Sequence, residues 1–108
     1  ERTFVFAKRV RDFIKKIPRD ISNIEDSSQL VRSSGSIGAN YIEANEALGK
    51  KDFVFRIKIC RKESKESKYW LHLINTNEDA NLDKIREKLI QEATELMMIF
   101  SSIMRKAE

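Results

Sequence analysis

Residues 51–74 read KDFVFRIKICRKESKESKYWLHLI. Within this stretch Phe53, Ile57, Cys60, Ser64, Ser67, Leu71 and Ile74 recur at steps of 4, 3, 4, 3, 4 and 3. Residues three and four apart return to the same side of a helix, so this is the heptad seam of one helix packed along another. A half-buried strand would alternate at every second residue instead. The middle of the seam is small (Cys60, Ser64, Ser67), which suits close approach of a second backbone. One position round the helix, Lys58, Arg61, Lys65 and Lys68 form a basic stripe, with Lys62 beside it. A further face carries Phe55, Ile59, Glu63, Glu66, Trp70 and Leu73. That face lies roughly 160° from the seam, and one bundle core does not readily bury both. Phe55, Ile59, Trp70 and Leu73 are therefore expected at a homo-oligomer interface, with Trp70 as the anchor.

Three more helices are predicted around this one. The first is expected from Thr3 to Ile17, with Phe4, Ala7, Val10, Ile14 and Ile17 as its apolar stripe. Pro18 stops it, because proline disfavours helix in the residue before it. The second is expected to start at an N-cap, Ser22 or Asp26, and to run to Leu48, with Gly49 as the C′ residue. Leu30, Ser34, Ile37, Tyr41, Ala44 and Leu48 share one of its faces. Gly35 and Gly38 inside it cost roughly 1 kcal/mol each relative to Ala; their expected use is close approach of a neighbouring helix. The fourth is expected from Leu82 to Lys106, with Leu82, Ile85, Leu89, Ala93, Leu96, Ile99 or Phe100, and Ile103 inward. Ile37, Tyr41, Ile57, Cys60, Leu71, Leu89 and Leu96 are the expected core. Long helices joined by short connections pack most simply as an antiparallel up-down-up-down four-helix bundle. The predicted fold class is thus all-α, a single domain over residues 1–108.

Composition agrees. Hydrophobic residues make up 41% of the 108 and charged residues 35%, enough for one core and one solvated surface. One Pro and three Gly supply too few turns for a many-stranded β fold. The single cysteine, Cys60, excludes an internal disulfide, shows no metal-site spacing and fits a reducing, cytoplasmic compartment. No apolar run approaches the roughly 18–20 residues needed to span a bilayer, so no membrane partner is expected. No signal peptide is evident, and a chain opening on Glu1 rather than Met is expected to be trimmed there. The net charge of +4 is uneven: residues 50–75 carry 8 basic and 3 acidic side chains, whereas residues 21–49 carry 1 and 4.

The nucleophile and ligand inventory is poor. His72 is the only histidine and is expected at the surface or its boundary. Cys60 lies on the apolar seam and reads as a small core residue. Gly49-Lys50-Lys51 is no phosphate-binding loop, because Ala44 stands where the first glycine is required and Lys51 replaces the Ser/Thr. Gly35-Ser36-Ile37-Gly38 has the spacing of a nucleotide-gripping GxxG loop without its β context. No HExxH, CxxC or paired Glu-x-x-His set exists. No catalytic residue, metal or cofactor is expected, and the chain is not expected to be an enzyme.

Gln29, Arg32, Ser36, Asn40 and Glu43 step by 3, 4, 4 and 3, forming a polar stripe on the second helix. It is either a solvated face or a structural hydrogen-bonded network within the bundle or between subunits. Arg32 and Glu43 stand three turns apart and could pair only through a partner.

The run from Gln29 to Ala44, QLVRSSGSIGANYIEA, resembles the signature helix of a bacterial four-helix-bundle family encoded in intervening sequences within 23S ribosomal RNA genes. Lys50-Lys51-Asp52-Phe53, the run from Lys62 to Leu71, and Phe4-Val5-Phe6-Ala7 are also similar to that family, so the likeness covers nearly the whole chain. Many relatives have Pro where Gly38 stands and Gly where Ala44 stands. The resemblance implies a homo-oligomeric ring, a pentamer, without enzymatic activity. It extends to the accessory protein of diversity-generating retroelements, a basic ring that binds a reverse transcriptase and nucleic acid. RNA or DNA, or a nucleic-acid enzyme, is therefore one expected class of partner, and a protein-binding scaffold without nucleic acid is the alternative.

Lys50, Lys51, Lys58, Arg61, Lys62, Lys65 and Lys68 are the candidate nucleic-acid-binding residues. No aromatic is read as interleaved among them at a stacking spacing, and no recognition motif accompanies them. Binding is expected through phosphates without strong sequence preference. The competing expectation is that Glu63, Glu66 or acids of the fourth helix neutralise the stripe.

Overall fold

A computed structural model describes residues 1–108. Four helices follow in order: α1 (Arg2–Ile14), α2 (Ile21–Asn45), α3 (Lys50–Leu73) and α4 (Ala80–Ala107). Each packs on its neighbours around a square (α1 on α2, α2 on α3, α3 on α4, α4 on α1), while the diagonal pairs stay apart. With no strand present, the fold is the antiparallel four-helix bundle that the apolar stepping predicts. It is an elongated body of 46 × 20 × 20 Å.

The helix ends are set by caps that differ from the expected ones. α2 is capped by Asp20, not by Ser22 or Asp26. Asp20 is extended, and its carboxylate accepts from the Asn23 amide at 2.8 Å. That amide and the Ser22 hydroxyl hold the Asp20 carboxyl below the usual carboxylate range. Asn23 fastens this corner to a second one. Its side-chain amide donates to the carbonyls of Pro18 and Asn75, and its carbonyl oxygen accepts from the Asn75 amide. α2 ends at Asn45 rather than Leu48, because the Glu46 and Ala47 amides turn back onto the Glu43 and Ala44 carbonyls. Gly49 is therefore the extended N-cap of α3 and not a C′ residue, and Leu48 stands fully in solvent. α4 starts two residues before Leu82, where the Asp79 carboxylate accepts from the Leu82 amide at 3.0 Å.

One core of 16 buried apolar residues runs the length of the bundle. The α3 seam lies in it as expected: Ile57, Cys60, Ser64, Ser67, Leu71 and Ile74 are buried, and Phe53 packs against them half-buried. From the expected core only Tyr41 is not fully enclosed; its ring tilts against Phe100 at a centroid distance of 5.8 Å. α1 is rotated from its expected stripe. Thr3, Phe6, Val10, Phe13 and Ile17 point inward and Phe4 is exposed, because this register buries two Phe rings where the other would bury one. α1 still ends before Ile17, at Ile14, with Pro18 beyond it. In α4, Phe100 rather than Ile99 takes the inner position. Gly38 and Gly35 face α1 as expected: a Cβ on Gly38 would lie 3.0 Å from the Thr3 hydroxyl, and one on Gly35 would lie 3.3 Å from the Arg11 guanidinium.

Candidate nucleic-acid interface

α3 is the helix shared by the two largest contacts of the bundle, so its two flanks meet different neighbours. On the flank toward α2, polar groups find partners, except that one Glu63 carboxylate oxygen is buried without a hydrogen bond. The Ser33 and Ser67 hydroxyls bond at 2.8 Å in the buried seam, and the Cys60 thiol donates to the Ile37 carbonyl at 3.4 Å. Burial pushes that thiol up to about 12. It is a core group, held neutral. Arg32 reaches across to Glu63 at 3.6 Å and to Glu66 at 3.2 Å. Glu63, expected on an outer face, is instead buried against α2 because Arg32 gives it a counter-charge there.

The polar stripe of α2 thus divides into two unconnected parts. Arg32 belongs to the pair with Glu63 and Glu66. Ser36 and Asn40 form the other part: the Asn40 amide donates to the Ser36 hydroxyl at 3.0 Å, and its carbonyl oxygen accepts from Arg56 at 3.1 Å. Gln29 and Glu43 are exposed and belong to neither. Within the chain Arg32 finds its acids on α3, at Glu63 and Glu66.

On the other flank the cations stand alone. None of Lys50, Lys51, Lys58, Arg61, Lys62, Lys65 and Lys68 is in an ion pair. All are exposed except Lys68, which is half-buried. Arg61, Lys62 and Lys65 border a cleft of about 380 Å³ whose α4 wall is Met97 and Ser101. Lys50, Lys51 and Lys58 border a second, of about 630 Å³, with Val54, Phe55, Ala107 and Glu108. Glu108 is the single acid lining either cleft. Of the acids expected to neutralise the stripe, Glu63 and Glu66 are engaged by Arg32, Asp83 by Arg86, and Glu92 and Glu95 of α4 by Arg2 of α1, at 2.7 and 2.6 Å; Glu87 and Glu108 are in no ion pair. The Gln91 amide and Arg2 together hold the Glu95 carboxyl below its usual range.

The residues expected at a subunit interface divide as well. Phe55 and Leu73 are exposed, Ile59 is half-buried, and Trp70 packs against the subunit's own core with its indole N–H enclosed and without an acceptor. Sequence reasoning missed Tyr69, exposed on α3 and in edge contact with Trp70 at a centroid distance of 5.1 Å. It also missed that two aromatics do lie among the lysines. Lys58 and Lys65 share the exposed crest of α3 with Phe55, Lys62 and Tyr69, while Lys68 is half-buried. Counting the heptad from Lys51 would have found them. His72 is exposed beyond Tyr69, and no three His, Cys, Asp or Glu side chains converge.

Over residues 1–102 the chain matches the family model described as 23S rRNA-intervening sequence protein. Among solved structures it is similar to a protein of unknown function from the S23 ribosomal protein family of Bacteroides thetaiotaomicron VPI-5482. The two share 29% identity with a TM-score of 0.79, over 95% of this chain and 94% of that one. No curated protein matches.

Proposed function

The chain belongs to the 23S rRNA-intervening sequence protein family, and from that premise we propose that it is a non-enzymatic binding module. It holds nucleic acid, or a ribonucleoprotein partner such as a nucleic-acid enzyme, through backbone phosphates on the α3 cations. The observation that carries this reading is the unpaired state of Lys50, Lys51, Lys58, Arg61, Lys62, Lys65 and Lys68, while the ion-paired acids of the chain lie on other flanks. Like charges held this close repel one another, and a polyanion relieves that repulsion while releasing its own counterions. The module works in the cytoplasm as a homo-oligomeric ring, a pentamer by family resemblance. Repetition of the cations round the ring gives avidity that one subunit lacks. No helix is long and apolar enough to cross a membrane, and none is needed for this role.

Charge reversal tests it. Lys58→Glu with Lys65→Glu should abolish binding to RNA or DNA at about 50 mM salt and leave helicity and oligomer mass as in the parent. A parent that binds nothing at that salt, or a double variant that binds as well as the parent, removes the reading. The second reading, a protein scaffold without nucleic acid, then takes its place. It is favoured by the cleft of about 400 Å³ between α1 and α2, where Phe4 and Ile42 stand exposed beside Gly35 and Gly38.

A further inference from the structure

The solvent-facing crest of α3 mixes cations with rings. Lys51, Phe55, Lys58, Lys62, Lys65 and Tyr69 step by 4, 3, 4, 3 and 4, so they stand on one line along the helix. All six are exposed, Phe55 by 56% and Tyr69 by 58%. Phe55 and Tyr69 are 14 residues apart, roughly 21 Å along the axis, with three lysines between them. Each ring is braced from one side by its own subunit. The Arg56 guanidinium lies 5.8 Å from the Phe55 centroid, and Trp70 meets Tyr69 in an edge contact. The Phe55 ring also forms a wall of the cleft of about 630 Å³ that Lys50, Lys51 and Lys58 border.

A duplex and an unpaired strand would use this crest differently. A duplex keeps its bases stacked inside and offers only phosphates, so Lys58, Lys62 and Lys65 would serve it while Phe55 and Tyr69 would stay in water. An unpaired strand offers phosphates and open base faces together, and every base has a face that can stack on an aromatic ring. We propose that the ligand is single-stranded nucleic acid, its phosphates on Lys58, Lys62 and Lys65 and its unpaired bases stacked on Phe55 and Tyr69. This inference rests on the phosphate-binding reading above. It assigns Phe55 to the ligand rather than to a neighbouring subunit, because the ring opens on the lysine-lined cleft.

The test is a fluorescence-anisotropy titration of one short mixed-sequence oligonucleotide, presented as single-stranded RNA, as single-stranded DNA and as the DNA duplex, at about 50 mM salt. The single strands should bind at least about 10-fold tighter than the duplex. Phe55→Ala and Tyr69→Ala should each weaken single-strand binding about 5-fold or more and leave duplex binding unchanged. Tyr69→Phe, which keeps the ring, should bind as the parent does. Neither aromatic variant should alter the dependence of affinity on salt, since no charge is removed, whereas Lys62→Glu should flatten it. The oligomer mass of Phe55→Ala should equal the parent's. A preference between RNA and DNA identifies the source of the strand and supports the proposal. Duplex binding as tight as single-strand binding, alanine variants that bind like the parent, or loss of the oligomer in Phe55→Ala would overturn it while leaving phosphate binding in place. Absence of binding to all three probes would remove the phosphate reading itself, and this one with it.

Discussion

Seen from α3, the flank toward α2 and the flank toward α4 handle polarity in opposite ways. Toward α2, Arg32 meets Glu63 and Glu66, Arg56 meets Asn40, and Ser33 meets Ser67. Toward α4, Arg61, Lys62 and Lys65 face Met97 and Ser101. One flank uses its polar groups to fix helix against helix. The other leaves its cations free for something outside the subunit. The positive balance of residues 50–75 is therefore a one-sided surplus, which a count of charges along the sequence does not reveal.

That contrast can be broken or sharpened by substitution. The largest effect is expected where both flanks meet the core. Leu71 is fully buried, and Leu71→Ala should cost about 2–5 kcal/mol in chemical denaturation; a loss below about 1 kcal/mol would mean that the seam carries less of the fold than its burial indicates. Next comes an alkaline effect on the α2 flank. The Cys60 thiol is pushed up to about 12 in the folded chain from an ordinary value of 9.0. The folded state therefore prefers the protonated thiol, and the stability this confers is complete below pH 9 and lost as pH rises toward 12. Between those limits the parent should lose stability faster than Cys60→Ala, by up to about 1.4 kcal/mol per pH unit. Equal slopes in urea melts of the two proteins at rising pH would place the thiol in water.

Arg32→Ala leaves the buried Glu63 carboxylate without its counter-charge and should cost about 1–3 kcal/mol. Arg61→Ala, on the open flank, should stay within about 0.5 kcal/mol. If the two variants melt alike, the flanks do not differ in the way described. Small effects of the opposite sign are expected at the glycines. In Gly35→Ala the new Cβ meets only the flexible end of Arg11, so helix propensity should prevail, with a gain of up to about 1 kcal/mol. In Gly38→Ala the tighter contact with Thr3 should cancel that gain, and thermal melts of the pair should rank Gly35→Ala above Gly38→Ala.

The fold was legible because it rests on spacing. Seven seam positions of α3 carry enough apolar and small side chains in unbroken three-four steps to fix which face turns inward, although Phe55, Ile59, Trp70 and Leu73 offer a second apolar face. α1 was harder to read, since Phe4 and Phe6 each head a three-four series and only packing decides between them; the series with Phe6 and Phe13 wins. The caps were misread because a cap depends on where the backbone becomes extended, and the Pro18 turn places that point at Asp20, ahead of two equally plausible capping residues. Of the site, the cations were legible, but their freedom was not. That Glu63 turns to Arg32 and Glu92 to Arg2 is a matter of which helices become neighbours, and no spacing within one helix encodes it. Tyr69 was hidden for a simpler reason: it sits beside Trp70, whose bulk drew the apolar reading to the neighbouring face.

Asn23 has a consequence for how the bundle opens. Its side chain ties the α1–α2 turn to the α3–α4 turn, and these lie at the same end of the molecule. The α2–α3 turn at the opposite end has no such tie, with Leu48 and Gly49 both in solvent. Fluctuations that release backbone amides to hydrogen exchange should begin where cross-links are fewest. The bundle then behaves like a sheaf bound at one end, and the Phe55 and Lys50 end is the loose one: of the crest between Phe55 and Tyr69, the Phe55 end yields first and the Tyr69 end last.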